Sequence, residues 1–240
     1  GNLWGQQQDA FFGRDAQAKA GTLAKVGGGM AGFDFTKIGT SGKVLAKQGE
    51  AWSDSGTEAA GTQWDCVRDN VTGLIWEVKR NAPNHLRHMG HMYAWYVPSN
   101  PVDIGVTGSA SPQNDLDGNP VTGPTCAGVA DINQCNTQSY LDAVNAVGLC
   151  GKKDWRLPTV DELISLVHSG RSDLAIDTNY FPNTAADDTW SASVTAYSNE
   201  IIFGASRDAA VWTVNFSSGD SISFSNPTRA SRVRLVRAGQ

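Results

Sequence analysis

Charge, long apolar runs and clustered basic residues are all scarce in this sequence of 240 residues. Charged residues make up 18% of the chain, and no lysine occurs after Lys153, so the basic cluster that a nucleic-acid-binding surface needs is missing. No window approaches the length of apolar sequence that a membrane-spanning helix requires. We therefore expect neither a nucleic-acid partner nor a transmembrane segment.

Catalytic signatures are missing as well. The sequence has no C-x-x-C spacing, no Ser/His/Asp motif, no phosphate-binding loop and no cysteine after Cys150. Asp187 and Asp188 are adjacent carboxylates, but neighbouring residues of a strand point to opposite faces, so they would not form an acid/base dyad there. We therefore expect a protein that is not an enzyme, and we assign no catalytic residue.

The four cysteines, Cys66, Cys126, Cys135 and Cys150, can form two disulfides in three ways. A bridge between Cys126 and Cys135 is local, because both lie in one glycine-rich loop. The remaining pair, Cys66 and Cys150, would tie a strand to a helix end. Two disulfides favour an extracytoplasmic protein, whether secreted, periplasmic or on the cell surface. Free, buried cysteines are the alternative.

The pattern along the chain divides it into two parts. Residues 1–60 are rich in Gly, Ala and Gln, and we interpret them as a strand-and-loop segment that wraps the main domain, residues 61–240. Within the first part, residues 32–38 and 44–46 predict two short strands that pair across the intervening turn.

The main domain has the pattern of an α+β protein. Turn chemistry at 69–73 between two β-prone runs predicts a hairpin. Two capped helices follow, one from Asn136 or Thr137 to Val147 and one from a capping box at Thr159 to Gly170. Short alternating strands are predicted at 190–193, 211–216, 222–224 and 232–237; in the last, Val233 and Leu235 would point inward, with Arg232, Arg234 and Val236 opposite.

Two segments of a long irregular region raise the question of a bound ion. His85, His88 and His91 recur every third residue, which could present imidazoles to a transition metal, but no matching Cys or carboxylate signature accompanies them. Residues 114–119, Asn-Asp-Leu-Asp-Gly-Asn, offer oxygens at alternate positions as calcium prefers, yet depart from the EF-hand loop. A polar histidine cluster and an Asx/Gly turn are the alternatives. We assign no metal and no cofactor. Calcium at residues 114–119 is the one ion that we retain as an alternative.

The composition of residues 197–231 differs from that of the rest of the chain. Of the residue types Lys, Glu, Gln, Met and Trp, these 35 positions hold only Glu200 and Trp212, whereas the other 205 positions hold 32. Short polar, β-branched and glycine residues suit exposed strands and turns. The same bias arises when asparagine codons are diversified at their adenines. An ordinary Ser/Thr-rich β-segment would also produce it.

Several motifs occur in a fixed order through the main domain: WDCVRDNVTGLIWE at 64–77, GLCG at 148–151, DWRLPTVDEL at 154–163, WSAS at 190–193 and VRLVR at 233–237. In this series the chain resembles the C-terminal domain family of bacterial collagen-like adhesins. The resemblance implies a C-type-lectin-like fold, with two helices and short antiparallel strands. It also implies kinship with the variable proteins of diversity-generating retroelements, in which a C-terminal tract is rewritten while its scaffold stays fixed.

The resemblance makes residues 197–231 the predicted ligand-binding tract of a secreted or surface protein. Its ligand, a protein or a glycan, is not identified by the sequence, and neither is the oligomeric state. The alternative function is a non-diversified adhesin domain that binds glycans or other extracellular polymers. The side chains predicted to contact the ligand mix apolar and charged groups: Ile201, Phe203, Arg207, Asp208, Thr213, Asp220, Ile222, Phe224, Thr228 and Arg229.

Overall fold

The computed structural model describes residues 13–96, 98, 126–131, 134–171, 173–195, 210–224 and 229–239. These residues form an α+β fold, as the sequence predicts. Among the helices in these ranges, none has the length and apolar character needed to cross a membrane. The elements in chain order are α1 (Arg14–Lys19), β1 (Phe35–Ile38), β2 (Cys66–Asp69), β3 (Leu74–Glu77), α2 (Thr137–Val147), a 3-10 turn (Leu149–Gly151), α3 (Val160–Ile164), β4 (Asp188–Val194), β5 (Val211–Asn215), β6 (Ser221–Phe224) and β7 (Val236–Ala238).

The predicted hairpin is the centre of a four-stranded antiparallel sheet with the order β1-β2-β3-β7. Its turn is fixed by Asp69, whose carboxylate accepts hydrogen bonds from the Val71 amide and the Thr72 hydroxyl. Gly73 completes the turn at φ +75°, a backbone conformation that glycine adopts without strain. The hairpin prediction is therefore confirmed.

The N-terminal segment contributes a strand to this sheet. β1 pairs along its whole length with β2, from Phe35 opposite Asp69 to Ile38 opposite Cys66. The predicted pairing between residues 32–38 and 44–46 is reduced to one bridge, between Ile38 and Val44. The main partner of β1 is thus the hairpin, because pairing there buries the Phe35 side chain in the core.

The helix starts agree with the sequence better than the helix ends. The Asn136 carboxamide accepts from the Ser139 amide at the start of α2, and Gly148 ends that helix in the left-handed conformation. The capping box of Thr159 and Glu162 starts α3, but this helix ends at Ile164 and not at Gly170. The Ser165 amide still bonds to the Asp161 carbonyl, but the Leu166 and Val167 amides bond back by only three residues, and the His168 amide bonds to the Ala175 carbonyl. The short helix α1 was not predicted.

The four-stranded sheet is buried on both faces, between two apolar clusters. Successive residues enter opposite clusters: Leu235 lies in one and Val236 in the other. The predicted alternation of the last strand therefore holds for Val233, Leu235 and Val236. The strand itself is shorter than predicted, and its other face is also inside the protein, since Arg234 is buried and donates to the Glu77 carbonyl.

Two disulfides link Cys66 with Cys150 and Cys126 with Cys135, the pairing that the sequence favoured. The first joins β2 to the 3-10 turn after α2, across a sequence separation of 84 residues. The second closes a local loop with a separation of 9 residues. The alternative of free cysteines is therefore wrong.

Candidate functional site

The described part of the 197–231 tract forms most of a second, three-stranded antiparallel sheet with the order β4-β5-β6. β5 is the central strand and β6 is an edge strand. Thr213 of β5 lies between Trp190 of β4 and Ile222 of β6. β4 contains the WSAS motif and lies outside the tract. The two strands of the tract, β5 and β6, therefore extend a sheet that begins with a strand of the scaffold.

The two strands of the tract differ in how deeply their side chains are buried. Val211, Val214 and Phe216 are fully buried and belong to the core clusters. β6 is different, since Ser221 and Ile222 are exposed and Ile222 keeps 49% of its surface. The tract therefore combines a core strand, which the fold needs, with an exposed edge.

Arg229 and Phe224 form the best-defined side-chain contact on this edge. The guanidinium carbon of Arg229 lies 3.8 Å from the centroid of the Phe224 ring, the geometry of a cation–π contact. On its other side, the Phe224 ring packs edge-on against the buried ring of Trp190, with ring centroids 6.4 Å apart. The exposed edge is thus coupled to the core through one aromatic side chain.

Asp188, at the start of β4, fixes this contact from the scaffold side. Its Oδ2 lies 3.3 Å from a terminal nitrogen of Arg229, and its Oδ1 accepts from the Asn215 carboxamide at 3.0 Å. Burial raises the pKa of Asp188, while the hydrogen bond from Asn215 and the charge of Arg229 oppose that rise. The tract residues Asn215 and Arg229 therefore counteract the effect of burial on the pKa of Asp188.

The neighbouring Asp187 makes a separate pair. Its carboxylate accepts from Arg232 at 3.1 Å, and Arg232 also donates to the Gly90 carbonyl. Sequence reasoning considered Asp187 and Asp188 only as a catalytic dyad and missed their role as anchors. The sequence does show two adjacent acids where β4 begins and two arginines after β6. Sequence patterns of neighbouring residues cannot predict that these groups form pairs, because each pair is separated by more than 40 positions.

Four of the predicted contact residues lie together at the β6 edge: Asp220, Ile222, Phe224 and Arg229. Asp220 is exposed in the turn before β6, where its carbonyl accepts from the Asn215 amide. Thr213 is a correction, because it is fully buried and its hydroxyl donates to the Ile222 carbonyl at 3.1 Å. It supports the edge strand from inside. Ile201, Phe203, Arg207, Asp208 and Thr228 lie outside the described residues.

The histidine cluster is present, but its nitrogens contact protein groups. The Nδ1 of His85 accepts from the Arg87 amide, and the Nε2 of His91 lies 3.0 Å from the His85 carbonyl. Burial lowers the pKa of His91 to about 4. No group of three candidate ligands that could hold a metal occurs in the described ranges. The 114–119 segment lies outside them.

The family comparison agrees with the order of motifs. Residues 65–237 match the sequence model of the Lcl C-terminal domain family, and this match spans more than half of the chain. The chain belongs to the Lcl C-terminal domain family. No curated protein and no solved structure matched it. The match suggests an adhesin-like or variable C-terminal domain. The matched residues include β4 to β6, the first two residues of β7 and both cysteines of the longer disulfide.

Proposed function

We propose that this Lcl C-terminal domain protein is a secreted or cell-surface binding protein whose specificity is set by exposed side chains of the 197–231 tract. We further propose that the tract is diversified, as in the variable proteins of diversity-generating retroelements. The observation that carries the proposal is the position of β6. It is an edge strand whose first two side chains are exposed, on a sheet whose other two strands are anchored in the core.

The way the tract is held favours variation at its surface. Backbone bonds fix the segment on both sides: the Thr195 amide donates to Ala210, and Ser231 exchanges bonds with Tyr93. Backbone bonds do not depend on side-chain identity, so an exposed residue of β6 can change without disturbing the register. The chemistry at the edge is that of a protein interface, with an aromatic ring, an arginine and an aliphatic anchor.

The two disulfides support an extracytoplasmic location, because structural disulfides persist in oxidising compartments. The ligand of this surface would then be a macromolecule outside the cytoplasm, a protein or a glycan. The alternative function, a fixed adhesin surface, predicts the same location and a tract that does not vary.

Sequencing the encoding locus and its flanks across many clonal isolates tests the proposal. Diversification predicts changes at codons of the β6 edge, such as those of Asp220, Ile222 and Arg229, with Val211 and Val214 conserved. It also predicts a nearby near-copy of the tract that differs only where that copy has adenine. An invariant tract without a near-copy would contradict diversification and leave the fixed adhesin surface.

A further inference from the structure

The outer edge of β6 has no partner strand in the described part of the chain. β6 pairs with β5 through four consecutive residues without a bulge, from Val211 opposite Phe224 to Val214 opposite Ser221. Among the described residues, β6 is the last strand of its sheet and takes part in no further bridge. A sheet edge of this kind is a template on which another extended chain can pair.

The hydrogen bonds to β5 identify which residues of β6 face this outer edge. The Asp220 carbonyl accepts from the last amide of β5 at 2.8 Å. Two residues further on, the Ile222 carbonyl accepts from the Thr213 hydroxyl at 3.1 Å. The backbone groups of successive residues in a strand alternate in direction, so Ser221 and Ser223 point their amides and carbonyls away from β5. The outer edge therefore presents a row of two donors and two acceptors.

The edge lacks the features by which proteins commonly prevent a further strand from pairing. Lysine, proline and a bulge are usual examples, and the sequence of β6, Ser-Ile-Ser-Phe, has none of them. The exposed carboxylate of Asp220 lies just before the strand and leaves its length uncharged. Because β6 has only four residues, it offers room for a short segment.

The side chains along the edge differ between the two faces of the sheet. Ile222 and Phe224 lie on the face where Phe224 packs against the core cluster of Trp190. Phe224 is partly buried there, whereas Ile222 keeps 49% of its surface exposed. Ser221 and Ser223 lie on the opposite face. An added strand would extend the apolar cluster with every second side chain.

The spacing of the outward backbone groups selects the class of ligand. Ser221 and Ser223 are two positions apart, which in a strand is about 7 Å, and each offers one donor and one acceptor. An extended polypeptide repeats a donor and an acceptor at the same interval, and a sugar chain has no such repeat. The carboxylate of Asp220 favours a basic residue opposite it and disfavours an acidic one.

We propose that β6 binds an extended segment of a partner protein, which joins the sheet as a fourth, antiparallel strand. The segment alternates apolar residues, which cover Ile222 and Phe224, with small polar residues, and it carries a basic residue opposite Asp220. Its main-chain hydrogen bonds supply affinity that does not depend on side chains, and the side chains supply specificity. The inference rests on the proposed ligand-binding role of the tract, but it does not require that the tract be diversified.

The test uses the whole chain and a set of capped peptides of the pattern Thr-x-Thr-x-Thr-Lys-Gly, in which x is Val, Ile, Leu, Phe or Tyr. Amide NMR spectra follow the titration. At least one peptide should bind with a Kd in the millimolar range or below. On binding, the amides of Ser221 and Ser223 should shift and become protected from hydrogen exchange, because they gain acceptors. The Ile222 amide, which faces β5, should keep its protection.

N-methylation of the peptide separates backbone pairing from side-chain contact. Methylating the second and third threonines removes the two donors that face β6, and should weaken binding by about tenfold or more. Methylating the x residue between them is the matched control, because its N–H points away from β6, and it should leave the affinity unchanged. These peptides act on the unaltered protein.

A variant of the protein tests the same bond from the other side. Ser223→Pro removes one outward amide and should weaken binding, whereas Ser223→Ala keeps the amide and should bind as the wild type does. Proline is tolerated on an edge strand where its nitrogen faces solvent, and thermal unfolding checks that the variant folds. The N-methylated peptides decide the question even if it does not fold.

Strand pairing is overturned if no peptide of the set binds, or if both kinds of N-methylation weaken binding equally. A wild-type chain that sediments as a dimer, and as a monomer in Ser223→Pro, would overturn it in favour of a second copy of this chain on the edge. Either result would leave the tract as a ligand surface that acts through its side chains. An invariant tract in the sequenced isolates would instead contradict diversification and leave strand pairing intact.

Discussion

The ammonium of Lys79 lies 2.9 Å from the carboxylate of Glu77, and both side chains are buried. The Tyr140 hydroxyl completes the cluster, since it donates to Glu77 and accepts from Lys79 at 2.8 Å. Burial lowers the pKa of Lys79 to about 8, although the charge of Glu77 opposes the shift. Through Tyr140, the pair links the end of β3 to α2 inside the protein.

Removing one member of the pair should be more harmful than removing both. Lys79→Met leaves the Glu77 carboxylate buried without its cation and should lower the free energy of unfolding by about 3 kcal/mol. Adding Glu77→Gln should restore part of that loss. Urea denaturation of the two single variants and the double variant measures the coupling.

The exposed pair Arg156 and Glu162 is the matched control, where Arg156→Ala should cost less than about 1 kcal/mol. Strictly additive single-variant effects at Glu77 and Lys79 would contradict the buried pair.

Asp65 should make the protein sensitive to acid. Burial alone would raise the pKa of Asp65, but Arg87 and Arg80 together lower it to about 2. In the unfolded chain, the Asp65 carboxyl has a pKa of about 3.9. The stabilisation that the two arginines provide is therefore complete above that pH and is lost as the pH falls toward about 2. The difference corresponds to about 2 to 3 kcal/mol.

The check is urea denaturation of the wild type and Asp65→Asn at pH values on both sides of this window. The variant should be less stable at neutral pH, and its stability should fall less on acidification. Equal losses of stability in the two proteins would show that Asp65 is not the group responsible.

The two disulfides should differ in their contribution to stability. In the chain-entropy model, the Cys66–Cys150 bridge stabilises by roughly 4.5 kcal/mol, and the shorter Cys126–Cys135 loop by roughly 2.5 kcal/mol. Replacing each pair by alanine and comparing thermal unfolding tests the order. A larger loss from removing Cys126–Cys135 would contradict the loop-length argument.

Substitutions inside the 197–231 tract should divide into two classes. Val214→Ala on β5 removes a fully buried side chain and should cost about 2 kcal/mol. Ile222→Ala on the neighbouring edge strand should stay within about 0.5 kcal/mol. Both variants lie in the same tract, so each is the control for the other when their melting temperatures are compared. Equal effects would mean that β6 is packed as tightly as β5.

Features of the fold that depend on local chemistry could be predicted from the sequence. Asn136 and Gly148 bound α2, and the Thr159 capping box starts α3, because each side chain bonds within its own turn. The early end of α3 was not predicted: after Ser165 the amides bond back by only three residues, and the His168 amide bonds forward to Ala175. No helical pattern in the sequence could have identified that bond.

The positions of the candidate residues could be predicted only in part, and their role in ligand binding stays a prediction. Composition marked the tract, and four predicted residues meet at the β6 edge. The role of Asp188 depends on contacts with Arg229 and Asn215 that only the folded chain brings together. Thr213 was misplaced because a Ser/Thr-rich pattern does not distinguish a central strand from an edge, and β5 is central.

The bonds from β4 to the tract have a practical consequence. The Thr195 amide holds Ala210 near one end of β4, and the Arg232 amide bonds to Asp188 at the other. With both junctions fixed, a replacement segment of another length could be grafted between them, since each doubling of a flexible loop costs only about 0.6 kcal/mol. A graft that keeps the buried side chains Val211, Val214 and Phe216 would turn this domain into a disulfide-stabilised display scaffold.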